Sequence, residues 1–385
     1  MSPTILGADD VRRMLALRDL TDPSTGPHAL QLLLAEVRAA LVAAWGCDTE
    51  LVRAHPVVSV ADNYDRLRYP PDGAARDARY TRYVSAGEVL RTQTSALVPP
   101  ALRRLAAAPR PDVLLVCPGL VYRRDSIDRL HVGEPHQLDL WRIRRGARLE
   151  VADLRDMIGR VVEALLPGAT WRAVAAVHPY TTDGLQVDVD TGGAWVEVLG
   201  CGLAHPQVLA DAGLSPSTWS GLAMGLGLDR KLMLRKGLDD IRLLRDDDPR
   251  VAAQMLDLTP YRPVSRHPPV RRDLSIATAA TDGAEELGDR VRAAIGDDAS
   301  CVEAVEVLSE TSLEQLPHAA RARIGIGPGQ KNVLVQLTLR HPSRTLTDAE
   351  ANRLRNAVYG ALHQGGAHQW ASSGDGAAQP PWRGR

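Results

Sequence analysis

Phenylalanine is absent from the 385 residues, while seven tryptophans and eight tyrosines are present. The aromatic part of any core therefore falls to Trp and Tyr, backed by Leu, Val and Met. The absence is compatible with synthesis under phenylalanine shortage, with phenylalanine codons made unreliable by mischarged tRNA, and with recoding of a natural sequence. Lysine is nearly absent too. Lys231, Lys236 and Lys331 are the only lysines among 46 basic side chains, a bias expected of a GC-rich genome rather than of a function. With 47 acidic residues the net charge is -1. That balance excludes a wholesale polycation and gives no reason to expect DNA binding; any RNA contact rests on local arginines. The four cysteines, Cys47, Cys117, Cys201 and Cys301, form no CxxC pair and no Cys/His cluster of zinc spacing. They are expected to be buried, reduced thiols of a cytoplasmic protein. No stretch reaches 18 apolar residues, so no membrane span is expected. The first residues carry acids and lack an apolar run, so no signal or transit peptide is expected either.

At roughly 100–200 residues per domain, the length suggests two domains, or one large domain with an appendage. Residues 8–18 and 29–44 read as helices, the second with Leu30, Leu33, Leu34, Val37 and Leu41 at three- and four-residue spacings. Runs at 57–60, 113–116, 185–190 and 195–199 read as strands bounded by Pro and Gly. Between them, Val151, Leu154, Ile158, Val161, Val162 and Leu165 make one face of a helix stopped by Pro167 and Gly168. A Gly-rich turn at 221–227 leads into a helix through Arg235, with Gly237 as its C-cap. The pattern is a sheet with long helices packed on it, an α+β class. The proline-rich stretch Pro260 to Pro269 is the domain boundary. Beyond it the order is strand (274–278), helix (285–295), strand (301–308), strand (333–339), helix (348–362) and a short terminal strand, a ferredoxin-like βαββαβ sandwich. Thr347 with Glu350 signs the start of the last helix as a capping box. The tail, residues 372–385, lacks core-forming side chains and is expected to be disordered.

Three segments carry chemistry. The first runs Leu120-Val-Tyr-Arg-Arg-Asp125, then His131, then Pro135-His-Gln-Leu-Asp139. An Arg on a strand can clamp a phosphate bidentately, and a His, Gln and carboxylate on the return strand can line the same pocket; the same residues also suit a solvated loop. The second is Trp195-Val-Glu-Val-Leu-Gly-Cys-Gly202, where Glu197 either holds Mg²⁺ with polyphosphate or faces water at an edge. The third is Gly221-Leu-Ala-Met-Gly-Leu-Gly-Leu-Asp-Arg230, whose glycines permit close backbone approach and whose Arg opens a helix. It is neither a Rossmann GxGxxG nor a Walker loop.

In order and spacing the three segments resemble the signature motifs of class II aminoacyl-tRNA synthetases, and the phenylalanyl-tRNA synthetase family among them. Leu20-Thr-Asp-Pro23 and Pro56-Val-Val-Ser-Val-Ala-Asp-Asn63 resemble the family's start and first motif, and Leu90-Arg-Thr-Gln-Thr-Ser95 its LRTHTS segment. Val121-Tyr-Arg123 through His136-Gln137 resembles its second motif. Gly200-Cys-Gly202 and Gly225-Leu-Gly-Leu-Asp-Arg230 resemble the third motif, and Asp239-Asp-Ile-Arg-Leu243 the segment just C-terminal to it. Pro269-Val-Arg-Arg-Asp273 and Arg344-Thr-Leu-Thr-Asp348 resemble the family's ferredoxin-fold anticodon-binding domain. The resemblance implies a catalytic domain at 1–259, a linker at 260–269 and an anticodon-binding domain at 270–371. Both domains on one chain match the single-chain mitochondrial layout, a monomer or homodimer. It further implies an antiparallel sheet core, ATP and Mg²⁺ as cofactors, and an amino acid and tRNA as partners. By position, Arg123 would meet the α-phosphate of ATP, His131 the distal phosphates, and Arg230 the nucleotide. Pro135, Gly225 and Gly227 would also border the ATP, and Glu197 would hold Mg²⁺. Gln93, Ser95, Gln137 and Asp139 would surround the amino group and carboxylate of the amino acid. His178, Pro179, Tyr180 and Thr181 would form its side-chain pocket, with Ala223 at the base.

The departures from the family cluster at the substrate. Gln93 replaces the His of LRTHTS, Pro135 the Phe of FHQ, Asp139 a Glu, and His178 and Tyr180 the two rings of FPF. The expected function is activation of phenylalanine or a polar aromatic relative and its transfer to tRNA. Two alternatives stand beside it: a paralogue activating an amino acid for another acceptor, and a non-catalytic RNA-binding relative. Basic and acidic residues are nearly balanced over 264–370, which implies modest RNA affinity.

Overall fold

The computed structural model describes residues 5–77, 80–124, 128–264 and 267–368. The chain divides after Val264 into two compact units. The first is built on a seven-stranded sheet from β1 (Asp48–Leu51), β4 (Asp112–Leu120), β5 (His136–Arg145), β6 (Trp171–Ala175), β7 (Thr181–Asp190), β8 (Trp195–Ala204) and β9 (Trp219–Gly227). Their order is β1-β4-β5-β9-β8-β7-β6. Only β1 runs parallel to its neighbour; the other pairs are antiparallel. A separate ribbon joins β2 (Val57–Ser59) to β3 (Glu88–Leu90). Long helices are α1 (Ala8–Leu15), α2 (Ala29–Trp45), α3 (Val98–Ala107), α4 (Val151–Leu165) and α5 (Leu228–Lys236).

Strand alternation sorts the core into two layers. Along β5, Leu138 and Leu140 point into the layer under α2 and α4, while Trp141 and Ile143 point into the layer that holds α3. Helix α2 begins where the His28 ring accepts the Leu30 N–H and ends at Gly46, left-handed at φ 58°. Its buried Leu30, Leu33, Val37 and Leu41 pack on the face of α4 carrying Leu154, Ile158, Val161 and Leu165. Without phenylalanine, the most deeply buried rings among the described residues are those of Trp141, Tyr64 and Tyr122. A buried tyrosine must also satisfy its hydroxyl, and Tyr64 donates to the Ala75 carbonyl at 2.8 Å. All four cysteines are free and buried, and among the described residues no helix is long and apolar enough to cross a membrane.

The Gly-rich stretch 221–227 is not a turn. It is the strand β9, hydrogen-bonded between β5 and β8 near the middle of the sheet. Its glycines serve packing: a Cβ on Gly221 would come within 2.8 Å of the Ile143 side chain and 3.0 Å of Ala204. The division after Val264 falls within 260–269, and described residues on each side of it are anchored. Tyr261 and Val264 pack on the first unit's core, and the Tyr261 N–H donates to the Lys236 carbonyl. On the other side, Arg340 donates to the His267 carbonyl at 2.7 Å.

The second unit is a three-stranded antiparallel sheet of β10 (Val270–Ala279), β11 (Val302–Ser312) and β12 (Gln330–Leu339) in the order β10-β12-β11, with helices α6 (Ala284–Ile295) and α7 (Asp348–Leu362). Val333, Val335, Leu337 and Leu339 alternate inward from β12 to meet Leu287 and Val291 of α6 and Leu354 and Val358 of α7. The Thr347–Glu350 capping box is formed. A short helix, His318–Ile324, sits between β11 and β12, where the sequence HAARARI shows no apolar period. The terminal strand expected after Leu362 is not among the described residues. Residues 363–368 are non-strand, although Gln364 donates to the Ala277 carbonyl at the free edge of β10. The tail at 372–385 lies outside the described residues.

Candidate active site

The floor of the site is a row across three strands. Asp139 on β5 pairs with Gly225 on β9, which pairs with Gly200 on β8. With glycine in two of the three positions, the sheet leaves room above it. A Cβ on Gly227 would meet nothing within 4 Å, so the floor is open there. Gly200 is covered instead by His178, whose Nε2 would lie 2.7 Å from an added Cβ. Above the row lies a cavity of about 520 Å³. Thirteen of the sixteen residues singled out from the sequence line it: Gln93, Ser95, Arg123, His131, Pro135, Gln137, Asp139, His178, Tyr180, Glu197, Gly225, Gly227 and Arg230. Ala223 does not. It is fully buried, in register with Trp141 and Gly202, in the core cluster that holds Trp141 and against which Tyr180 packs. Pro179 and Thr181 also fall outside the lining.

One end of the cavity is organised around the Asp139 carboxylate, which is buried. It accepts hydrogen bonds from the hydroxyls of Thr94 and Ser95, each at 2.8 Å. Burial raises its pKa against these hydrogen bonds, so it is a costly anion poised for a cation. Gln137 accepts the Thr94 N–H at 3.4 Å. Gln93 is held on both sides: its Oε1 accepts from the Tyr69 hydroxyl at 2.7 Å and its amide donates to the Asn63 carbonyl at 2.9 Å. Tyr69, Tyr180 and Trp141 then form a tilted run of rings, with His178 6.1 Å beyond Tyr180. Burial pushes the Tyr69 hydroxyl up to about 12 and lowers the His178 pKa, with Glu197 opposing. Both are therefore neutral near pH 7. The His178 Nε2 closes no hydrogen bond among the described residues, its Nδ1 lying 3.5 Å from the Thr181 hydroxyl.

The other end is cationic. Arg123 donates through Nε to the Thr92 carbonyl at 2.8 Å, which fixes the guanidinium and leaves its two terminal amino groups for an anion. Arg230 donates to His131 Nε2 at 2.7 Å, joining residues 99 positions apart. Lys231 lines the cavity beside Arg230. Burial, then Arg230, push its ammonium down to about 7, with Glu197 and Asp229 opposing. Among the described residues no group of three or more His, Cys, Asp or Glu side chains is placed to hold a metal. Glu197 is an exposed carboxylate on the cavity wall. This donor set suits Mg²⁺ that keeps its waters and shares phosphate oxygens, not an all-protein cage.

A buried clamp holds the two halves of the site together. The His136 ring, fully buried, accepts the Leu20 N–H at Nε2 (3.0 Å), which assigns the ring proton to Nδ1 for donation to Asp229 at 2.7 Å. Asp229 also accepts the His136 N–H. Although burial opposes it, His136 and Arg245 hold the Asp229 pKa below the usual range. Asp229 opens α5 and His136 opens β5, so this pair fixes Arg230 relative to Gln137 and Asp139. Sequence reasoning does not single out Asp229, Thr94, Tyr69 or Lys231 for these places. The motif resemblance runs through Thr94 and Asp229, but nothing local marks their partners 45 and 93 residues away.

Residues 18–255 match the family model described as tRNA synthetases class II core domain (F). The phenylalanine–tRNA ligase alpha subunits of two Prochlorococcus marinus strains, MIT 9313 and NATL2A, are 40% and 38% identical to it over 192 residues, 50% of this chain and 56% of theirs. That of Clostridium beijerinckii is 35% identical over 205 residues, 50% of this chain and 59% of its own. The chain thus spans little more than half the length of these relatives. With the class II core matched over most of the first unit, and the motif residues gathered around one cavity, the chain belongs to the phenylalanyl-tRNA synthetase family.

Proposed function

We propose that the protein uses ATP to activate an amino acid as its adenylate and then transfers the aminoacyl group to tRNA. The observation that carries this reading is one cavity with two chemically opposite ends. A buried carboxylate with flanking hydroxyls suits an α-ammonium group, and fixed arginines suit a polyphosphate. An amino-acid carboxylate oxygen lying between them attacks the α-phosphorus in line. The new acyl–phosphate bond forms as the bond to the bridging oxygen breaks, and pyrophosphate leaves with that electron pair. No protein group has to give or take a proton. Catalysis then rests on positioning and charge neutralisation, with Arg123 on the α-phosphate and the His131–Arg230 pair on the distal phosphates. Glu197 would hold Mg²⁺, which when bound supplies further neutralisation of phosphate charge. Pro135 covers the purine in this reading.

The second unit is read as the anticodon-binding domain, a ferredoxin-like fold whose terminal strand would join β10. Its near balance of charge supports modest RNA affinity. Cleavage or truncation just after Val264 is expected to leave a folded first unit, since that unit holds its own two core layers. This first unit should still form adenylate but transfer poorly to tRNA. Single-turnover transfer from preformed adenylate checks this: equal transfer by the first unit and the full chain would remove the anticodon-binding role. The relatives' names call them alpha subunits. Our reading has this chain act without a different subunit, as a monomer or homodimer in the cytoplasm.

A further inference from the structure

Each of the three lysines has a distinct environment. Lys331 pairs with Glu310 at 2.8 Å. Lys236, buried, donates to the carbonyls of Asp257 and Thr259 at 2.9 and 2.7 Å and to the Asp257 carboxylate at 3.2 Å. Lys231 is nearly as deeply placed, 5% exposed against 1% for Lys236, and lines the cavity, yet no hydrogen bond or ion pair joins its ammonium to any described residue. Its helix neighbours Leu228, Leu232 and Met233 belong to the hydrophobic core. Asp229, the nearest carboxylate in sequence, is committed to His136. An ammonium held this deep with no anion beside it is poorly compensated on the protein side and open to an anion on the cavity side, and arginine stands at almost every other basic position of this chain. A lysine here provides a compact point charge on a slim stem, the form suited to phosphate oxygens that a guanidinium fork does not need to grip. The charged groups acting on it are Arg230, Glu197 and Asp229; Asp139 at the amino-acid end is not among them.

Resting on the function proposed above, we propose that Lys231 is a further cationic contact for the nucleotide's polyphosphate. It would meet the β- and γ-phosphate oxygens from the Glu197 side and stay with the pyrophosphate as it leaves. As the bond between the α-phosphorus and the bridging oxygen breaks, negative charge grows on the leaving group, and Lys231 neutralises it without transferring a proton.

The test uses the full chain with Mg²⁺ and compares binding of ATP, pyrophosphate and AMP to the parent, Lys231→Met and Lys231→Arg by titration calorimetry. Loss of one charge-assisted contact is expected to weaken ATP and pyrophosphate binding by about 10–100-fold in Lys231→Met. AMP binding should stay within about twofold, and Lys231→Arg should recover part of the loss. The unliganded Met variant should melt at or above the parent's temperature, because it replaces a largely buried cationic side chain that has no ion pair among the described residues with an apolar one. Equal weakening of ATP and AMP, unchanged ATP binding, or a loss confined to the amino acid would each overturn the role of Lys231 while leaving the activating function standing. A parent that binds neither ATP nor pyrophosphate would overturn that function, and the lysine's role with it.

Discussion

Arg123→Ala is expected to raise the barrier to amino-acid activation by about 2–4 kcal/mol, a loss of roughly one and a half to three orders of magnitude in rate. The size comes from how the side chain is held. The Arg123 backbone N–H donates to the Gly133 carbonyl at 2.7 Å, and the preceding Tyr122 N–H donates to the Arg91 carbonyl. Its Nε is fixed on Thr92. In the proposed reaction the guanidinium would meet the reacting phosphorus already oriented, and losing it would remove an interaction that strengthens as charge develops. Because Arg123 is half-buried and its main-chain bonds survive the substitution, the fold should hold. Rates of pyrophosphate exchange for parent and variant at saturating ATP check the prediction. A variant with parental kcat would show that Arg123 only assists ground-state binding.

The second large effect concerns which amino acid is activated. The Tyr69 hydroxyl is already spent on Gln93, so it offers nothing to a substrate. His178 differs, since its Nε2 has no partner among the described residues and its ring lies over Gly200 at the cavity wall. Tyr180 lines the same wall beside it. The Tyr180 hydroxyl is engaged by the Ser95 side chain, so the open polar atom is His178 Nε2: a substrate bearing a ring hydroxyl, amine or heteroatom can satisfy it, whereas phenylalanine would close the pocket with it unpaired. Discrimination of this kind can reach about 10⁴–10⁵. The expected result is that the protein prefers a polar aromatic amino acid over phenylalanine. The double substitution His178→Phe with Tyr180→Phe should reverse the order. Measured kcat/KM values for phenylalanine and tyrosine with both proteins decide it: the same ranking before and after would show that the two side chains present only ring carbons to the ligand.

Much of this architecture is readable in one dimension. The α4 face, the α2 leucines and the Thr347–Glu350 cap are local patterns that need no partner to be recognised, and each forms where its spacing places it. Thirteen site residues converge because they belong to motifs whose order the resemblance supplies. The hidden part depends on contacts distant in sequence. Glycine spacing alone does not separate a turn from a central strand such as β9, where the missing side chains make room for Ile143 and the site. Ala223 reads as a pocket base, but it is buried in the core cluster beside Trp141. The Thr94–Asp139 and His136–Asp229 bonds join segments that only the folded sheet brings together. Lys231 sits one residue past a recognised motif, in a helix that reads as ordinary, and its burial beside the cavity exists only in three dimensions.

The most direct test of the account is an ATP–pyrophosphate exchange screen with the purified chain alone, across the proteinogenic amino acids and non-proteinogenic aromatic ones. The account predicts Mg²⁺-dependent exchange without any second subunit, stronger with at least one polar aromatic amino acid than with phenylalanine. Measurable ATP binding with no exchange for any amino acid would contradict it.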